Sequence, residues 1–98
     1  MQIEYNDRSI RKVCTDASYA EKKYGIQMAE KISLRIDQIT ATESVEEMIR
    51  HHIGRCHKLV GDRKEQYAVD LVHPKRLIFE KKGNEIHIVN IVEIVDYH

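Results

Sequence analysis

The chain has 98 residues, of which 42% are hydrophobic and 33% charged, and its formal net charge is zero. This length suits one domain with its own core, and the apolar content excludes a disordered chain. The longest apolar stretch is too short for a membrane span and the first residues are polar, so we expect a cytoplasmic protein. Cys14 and Cys56 stand far apart without a CxxC motif, which argues against a disulfide framework or a structural zinc site.

The charge is unevenly distributed along the chain. Residues 50–82 carry nine Lys or Arg against four acidic residues, a local excess of five positive charges that the rest of the chain balances. Contacts with phosphates need local cations rather than a high overall pI, so this basic segment is compatible with RNA binding. Composition alone favours the simpler interpretation, a solvated charged surface.

The N-terminal half predicts a short strand followed by helices. Ile3 and Tyr5 alternate with polar residues as in a strand, and a helical turn is expected over residues 9–14. Thr15 and Asp16 can cap a helix through Tyr24, and Gly25 interrupts it. A second helix carries one apolar face, suited to packing on a sheet, at Ala29, Ile32, Ile36 and Ile39. Ser44 opens a capping box for a short helix that ends near Gly54.

The C-terminal half predicts a sheet. Turn-forming residues separate four strand candidates, which are Cys56–Val60, Gln66–Val72, Lys75–Lys82 and Glu85–Val95. The short turns favour antiparallel neighbours. The predicted fold class is therefore α+β, with N-terminal helices packed on a mostly antiparallel sheet in a single domain over residues 1–98.

Two histidines near the ends of predicted strands suggest proton-transfer chemistry. RNA carries its own nucleophile, the 2′-hydroxyl, so its cleavage needs one group that removes a proton and another that protonates the leaving oxygen. Imidazole can do either near neutral pH, which makes His57 and His98 candidates. Asp96 lies two residues from His98 and would share its strand face, where it can orient the imidazole. Tyr97 would point the other way unless the chain end relaxes the alternation, in which case it can stack on a base.

Several cations complete the candidate site. Arg76 suits the negative charge that builds on the phosphorane, because guanidinium stays ionised and offers paired donors. Lys58, Arg63 and Lys64 would hold flanking phosphates. Each also has a plain structural interpretation; Arg76, for instance, can pair with Glu80 or Asp70.

The histidines at positions 51 and 52, followed by Cys56 and His57, superficially suggest a metal cluster. Adjacent histidines splay apart on a helix, and no acidic ligand is suitably spaced. No metal or other cofactor is therefore expected.

Three segments resemble the HigB-type plasmid-maintenance killer proteins of the RelE/ParE toxin superfamily. They are the Cys-His-Lys-Leu-Val-Gly-Asp-Arg run at 56–63, the Arg-Leu-Ile-Phe-Glu strand at 76–80, and the terminal Glu-Ile-Val-Asp-Tyr-His at 93–98. The likeness covers most of the chain in length and order of elements, although its specific motifs lie in residues 56–98. It implies the RelE-like, microbial ribonuclease-type fold.

The resemblance also implies a function. Such a toxin enters the ribosomal A site, cleaves the mRNA there without a metal, and is neutralised by a co-encoded helix-turn-helix antitoxin of the HigA type. The family's catalytic positions fall on His57, Asp96, Tyr97 and His98, and its strand arginine on Arg76.

Two features depart from the family pattern, and two other functions stay open. The residue before the strand arginine, often aromatic in the family, is Lys75 here, and the net charge is low for a ribosome-binding toxin. The alternatives are a non-catalytic toxin on the same fold that inhibits DNA gyrase, and an inactive binding module that has kept the scaffold.

Overall fold

A computed structural model describes residues 1–63 and 65–96. The first strand, β1 (Gln2–Tyr5), precedes four helices, which are α1 (Arg8–Thr15), α2 (Ala17–Tyr24), α3 (Ile26–Ala41) and α4 (Val45–Arg50). The remaining strands are β2 (His57–Lys58), β3 (Gln66–Asp70), β4 (Lys75–Lys81) and β5 (Ile88–Asp96). Short 3₁₀ turns at Ile53–Arg55 and Gly61–Arg63 flank β2.

Side-chain caps determine where three of the helices begin. The carboxylates of Asp7 and Asp16 accept hydrogen bonds from backbone amides in the first turns of α1 and α2, and the Ser44 hydroxyl does the same for α4. These acceptors satisfy amides that a helix start otherwise leaves unpaired. The predicted caps at Asp16 and Ser44 are therefore confirmed.

The five strands form one mixed sheet in the order β1-β5-β4-β3-β2. Three of the four pairings are antiparallel, as predicted from the short turns, and β1 joins β5 in parallel. The helices between β1 and the later strands provide the crossover that parallel neighbours require. The predicted α+β class, with helices on a mostly antiparallel sheet, is confirmed.

All four predicted C-terminal strands extend beyond the observed ones, and β2 and β5 differ most from the prediction. β2 covers only His57–Lys58 because the chain turns into the 3₁₀ segment at Gly61, although the Leu59 amide still donates to the Gln66 carbonyl at 2.8 Å. β5 begins at Ile88, and a turn in which the Glu85 amide bonds to the Lys82 carbonyl occupies the residues before it. Val60 and Ile86, apolar residues in the parts that do not form strand, are exposed, so an apolar residue alone does not determine where a strand ends.

The two faces of the sheet differ in what they carry. Val69, Leu77, Phe79 and Ile91 are fully buried and pack in the main core with the helices. Their neighbours Ala68 and Ile78 are also buried but belong to the opposite face, since side chains alternate along a strand. None of the helices over residues 1–63 and 65–96 is long and apolar enough to cross a membrane.

Candidate active site

The register of three strands brings His57 and Arg76 to the sheet face that lies away from the main core. His57 on β2 pairs with Ala68 on β3, and Ala68 pairs with Ile78 on β4. Asp70 pairs with Arg76 one step further along the same strands. Because positions two apart share a face, these five side chains lie together.

The contacts of His57 assign different roles to its two ring nitrogens. Nδ1 lies 2.9 Å from the backbone carbonyl oxygen of Arg55, and Nε2 lies 3.4 Å from Nη1 of Arg76. A carbonyl can only accept and a guanidinium can only donate, so these partners place the proton on Nδ1 and a lone pair on Nε2. In this tautomer Nε2 can take up a proton.

Asp70 is held by three arginines. Its Oδ1 lies 3.1 Å from Nε of Arg76, and its Oδ2 lies 3.3 Å from Nε of Arg55. Nε of Arg35 donates to the Asp70 backbone carbonyl at 2.7 Å, while Nη1 of Arg35 donates to Gln38. Burial lowers the pKa of the Arg35 guanidinium, and the nearby Asp70 carboxylate opposes that change. The plain interpretation of Arg76 as a partner of Asp70 is confirmed, and the same arginine also contacts His57.

A groove of about 440 Å³ opens on this face of the sheet. Its lining combines apolar side chains with charged ones and consists of Leu59, Val60, Arg63, Ala68, Arg76, Ile78, Val95 and Asp96. Val60 at the rim is 88% exposed, whereas Ala68 and Ile78 are buried. An apolar surface beside two guanidinium groups suits a ligand that has both a flat ring and a phosphate.

The predicted phosphate-binding residues are placed differently from one another. Arg63 lines the groove and is tied to its edge, with Nη2 2.8 Å from Glu93 Oε2 and Nη1 3.0 Å from Gln66 Oε1. Lys58 is exposed and pairs in register with Tyr67, which places it on the opposite face from His57. Lys64 lies outside the described residues.

Asp96 is the last described residue of the predicted terminal triad. Its Oδ1 accepts a hydrogen bond from Nζ of Lys75 at 2.5 Å, and this bond raises the pKa of the lysine. The register pairs Asp96 with Lys75 and Val95 with Arg76, so Asp96 reaches the groove only at its rim. Lys75 also lies 6.0 Å from the ring of Tyr24. The predicted residues Tyr97 and His98 lie outside the described part of the chain.

Arg55, Asp70 and Arg35 were not predicted as site residues. Asp70 was predicted only as a partner for Arg76. The antiparallel register of β3 and β4 could have indicated its place in the site, because it sets the two residues opposite each other. Arg55 and Arg35 come from a 3₁₀ turn and from α3, and nothing in their local sequence indicates that they converge on Asp70. Across residues 1–63 and 65–96, no group of three or more His, Cys, Asp or Glu is arranged to hold a metal ion.

The helices lie on one face of a mixed five-stranded sheet, and this α+β fold is shared with solved structures of YoeB and YoeB/ParE toxins. One structure with this fold is a YoeB–YefM complex from Staphylococcus aureus, similar over all of this chain and 97% of its own, with 19% identity and a TM-score of 0.64. A YoeB/ParE toxin from Agrobacterium tumefaciens is similar over the full length of both chains, with 13% identity and a TM-score of 0.58.

A YoeB dimer from Staphylococcus aureus is also similar, over all of this chain and 97% of its own, with 17% identity and a TM-score of 0.53. No protein-family model and no curated protein matches the chain. At these identities the likeness establishes the fold and not the activity.

Proposed function

We propose that the protein is the toxin of a type II toxin–antitoxin system, a HigB-type endoribonuclease of the RelE/ParE superfamily that cleaves mRNA on the ribosome. The observation that carries the proposal is the meeting of His57 and Arg76 beside the groove, with Nε2 and Nη1 3.4 Å apart. A proton acceptor and a permanent cation are the two groups that attack on a phosphodiester requires. The fold and the three resembling segments support the same class of protein.

The proposed reaction uses the RNA's own 2′-hydroxyl. Nε2 of His57 takes the 2′ proton while the 2′ oxygen forms a bond to the adjacent phosphorus. The bond from phosphorus to the 5′ oxygen breaks, and a second group returns a proton to that oxygen. The products are a 2′,3′-cyclic phosphate and a 5′-hydroxyl, so the step needs neither an external nucleophile nor a metal. Arg76 stabilises the extra negative charge on the phosphorane.

The terminal residues take the remaining roles in this proposal. His98 is the proton donor to the 5′ oxygen, and Tyr97 stacks on a base or donates a proton. Asp96 orients His98. The resemblance to HigB-type toxins supports these assignments, and the position of Asp96 at the groove rim is compatible with them.

The proposed partners follow from the same class. The ribosomal A site and its mRNA would meet the basic segment, with Arg63 and Lys64 near flanking phosphates. Lys58 was predicted for the same role but lies on the opposite face of the sheet from His57, so it is not assigned to these phosphates. A co-encoded antitoxin, HigA-like with a helix-turn-helix, would neutralise the toxin in a heteromeric complex in the cytoplasm. One of the similar structures is itself a YoeB–YefM complex, which supports an antitoxin partner.

The test combines growth, cleavage and product chemistry. Induction should arrest growth, and mapped 5′ ends of cellular mRNA should appear at codons within reading frames. Purified protein should cleave mRNA on programmed ribosomes, leaving 5′-hydroxyl ends that polynucleotide kinase can label. Inhibited DNA supercoiling without mRNA cleavage would instead show a gyrase-inhibiting toxin. A folded protein that leaves growth unaffected would be an inactive binding module.

Substitution of the last residue tests the terminal assignment. His98→Ala should abolish growth arrest while the thermal unfolding midpoint stays unchanged, because the proposal gives the residue a role in proton transfer and none in folding. Full toxicity of this variant would exclude His98 as the proton donor. A bulky C-terminal tag should also weaken cleavage, whereas the same tag joined through a long flexible linker should weaken it less.

A further inference from the structure

Three guanidinium groups converge on Asp70, whose single carboxylate balances only one of their charges. Arg55 and Arg76 approach its two oxygens at 3.3 and 3.1 Å, and Arg35 holds its backbone carbonyl. Two positive charges therefore remain in excess within this group of four residues. A cation-rich site beside a groove attracts anions, and RNA supplies one at every phosphate.

The ion pairs with Asp70 hold the side chains of Arg55 and Arg76 on the same carboxylate. Each arginine forms its ion pair with Asp70 through Nε, so one carboxylate holds both guanidinium groups beside it. The side chain of Arg76 is 14% exposed and that of Arg55 is 78% exposed. Arg76 thus lines the groove, and the Arg55 side chain is largely open to solvent.

We propose that Arg55 and Arg76 form a two-arginine site for consecutive RNA phosphates, with Asp70 as the residue that positions both. This inference rests on the proposed function, because it takes the phosphate at Arg76 to be the scissile one. Arg55 then binds the neighbouring phosphate of the same RNA chain. The backbone carbonyl of Arg55 also accepts a hydrogen bond from Nδ1 of His57. Arg55 would therefore both bind a phosphate and orient the imidazole that acts as the general base.

Substitution of Asp70 separates positioning from simple electrostatics. Asp70→Asn removes a negative charge, so a general attraction between protein and RNA predicts tighter binding. If Asp70 positions the two arginines, the same substitution weakens binding, because amide–guanidinium contacts are weaker and the amide can turn a donor towards them. The two explanations therefore predict opposite signs.

The experiment measures binding of a short 2′-O-methyl RNA, which has no 2′ nucleophile, by fluorescence anisotropy at several salt concentrations. Arg55→Ala should weaken binding several-fold and reduce the slope of log K against log salt by about 0.7, the value for one phosphate contact on a single strand. Arg55→Lys, which keeps the charge but loses the planar fork, should fall between Arg55→Ala and the unaltered protein. Arg8→Ala is the matched control, since Arg8 is an exposed arginine on α1, which packs near the opposite, β1 edge of the sheet.

The outcomes separate this inference from the nuclease proposal. RNA binding that depends on Arg55 and Asp70, in a protein that cleaves nothing, would support the two-arginine site and contradict the nuclease. Cleavage by a protein in which Arg55→Ala behaves like Arg8→Ala would contradict the site and leave the nuclease standing. Tighter binding by Asp70→Asn, or no binding by the unaltered protein, would overturn the two-arginine site. Arg55 is exposed, so its substitution tests the site even if Asp70→Asn reduces stability.

Discussion

Arg76 and His57 meet across a strand that neither belongs to, with Nη1 of the arginine 3.4 Å from Nε2 of the histidine. β3 lies between their strands and contributes Ala68, which pairs directly with His57. A methyl side chain leaves the space through which the longer side chains approach each other. The candidate site therefore depends on a small residue as well as on the two polar ones.

Removal of either polar group should reduce cleavage on programmed ribosomes without unfolding the protein. We expect His57→Ala to lower the rate by roughly 10²–10⁴, as for loss of a general base. Arg76→Ala should lower it by about 10²–10³, as for loss of a charge-stabilising donor, and Arg76→Lys by less. His51→Ala replaces an exposed histidine outside the site and should match the unaltered protein in single-turnover cleavage. Unchanged rates in His57→Ala would contradict the assignment of the base.

Enlargement of Ala68 should separate the two groups while leaving both in place. Ala68 is fully buried, so Ala68→Val adds volume beneath the approach of His57 to Arg76. Overpacking of this kind costs about 1–3 kcal/mol of stability. We expect the cleavage rate to fall far more than the folded fraction, which circular dichroism at the assay temperature would measure. The same substitution in the main core, Ala20→Val, should destabilise the protein with little effect on the rate, because Ala20 is buried on α2 in the main core.

Most of the fold could be predicted because its signals are local. Alternating apolar residues, turn residues and caps such as Asp16 and Ser44 report on neighbours a few positions away, and the strands and helices they predicted are present. The strand ends were less predictable. Glu85 begins the predicted strand, but its amide bonds to the Lys82 carbonyl in a turn.

The candidate site could be predicted only where a strand register or a resemblance indicated it. His57 and Arg76 were predicted from residue chemistry and from the HigB-type segments, and the register brings them together. The convergence of Arg35 and Arg55 on Asp70 joins a helix, a 3₁₀ turn and a strand, and no local pattern encodes it. Long-range polar contacts of this kind appear only when the chain is folded.

Gly54 should be essential for the position of Arg35. Gly54 has φ +57°, and a Cβ added there would lie 2.7 Å from Nε of Arg35, the atom that donates to the Asp70 carbonyl. Gly54→Ala therefore combines backbone strain of about 1–2 kcal/mol with displacement of that side chain, which costs about another 1 kcal/mol for the hydrogen bond. Urea unfolding would measure the sum of these two costs as the loss of unfolding free energy.

Gly83→Ala is a matched control for the strain alone, because Gly83 has φ +55° and open space where the Cβ would lie. We expect Gly54→Ala to be the more destabilising of the two by about 1 kcal/mol. It should also weaken RNA binding if Arg35 supports Asp70, whereas Gly83→Ala should not. Equal unfolding free energies in the two variants would show that Arg35 moves aside without loss.

The two cysteines should be unreactive in the native protein and should make stability fall at high pH. Cys14 and Cys56 are buried, and burial raises the pKa of each thiol to about 12. Since an ordinary thiol has a pKa of about 8.5, iodoacetamide at pH 8 should label the folded protein at least 100-fold more slowly than the protein in denaturant. Their contribution to stability is complete below about pH 8.5 and is lost as the pH rises towards about 12, by at most roughly 1.4 kcal/mol per pH unit for each thiol. Cys14→Ala should flatten that dependence in urea unfolding between about pH 8 and 10, and rapid labelling of either native thiol would contradict the burial on which the prediction rests.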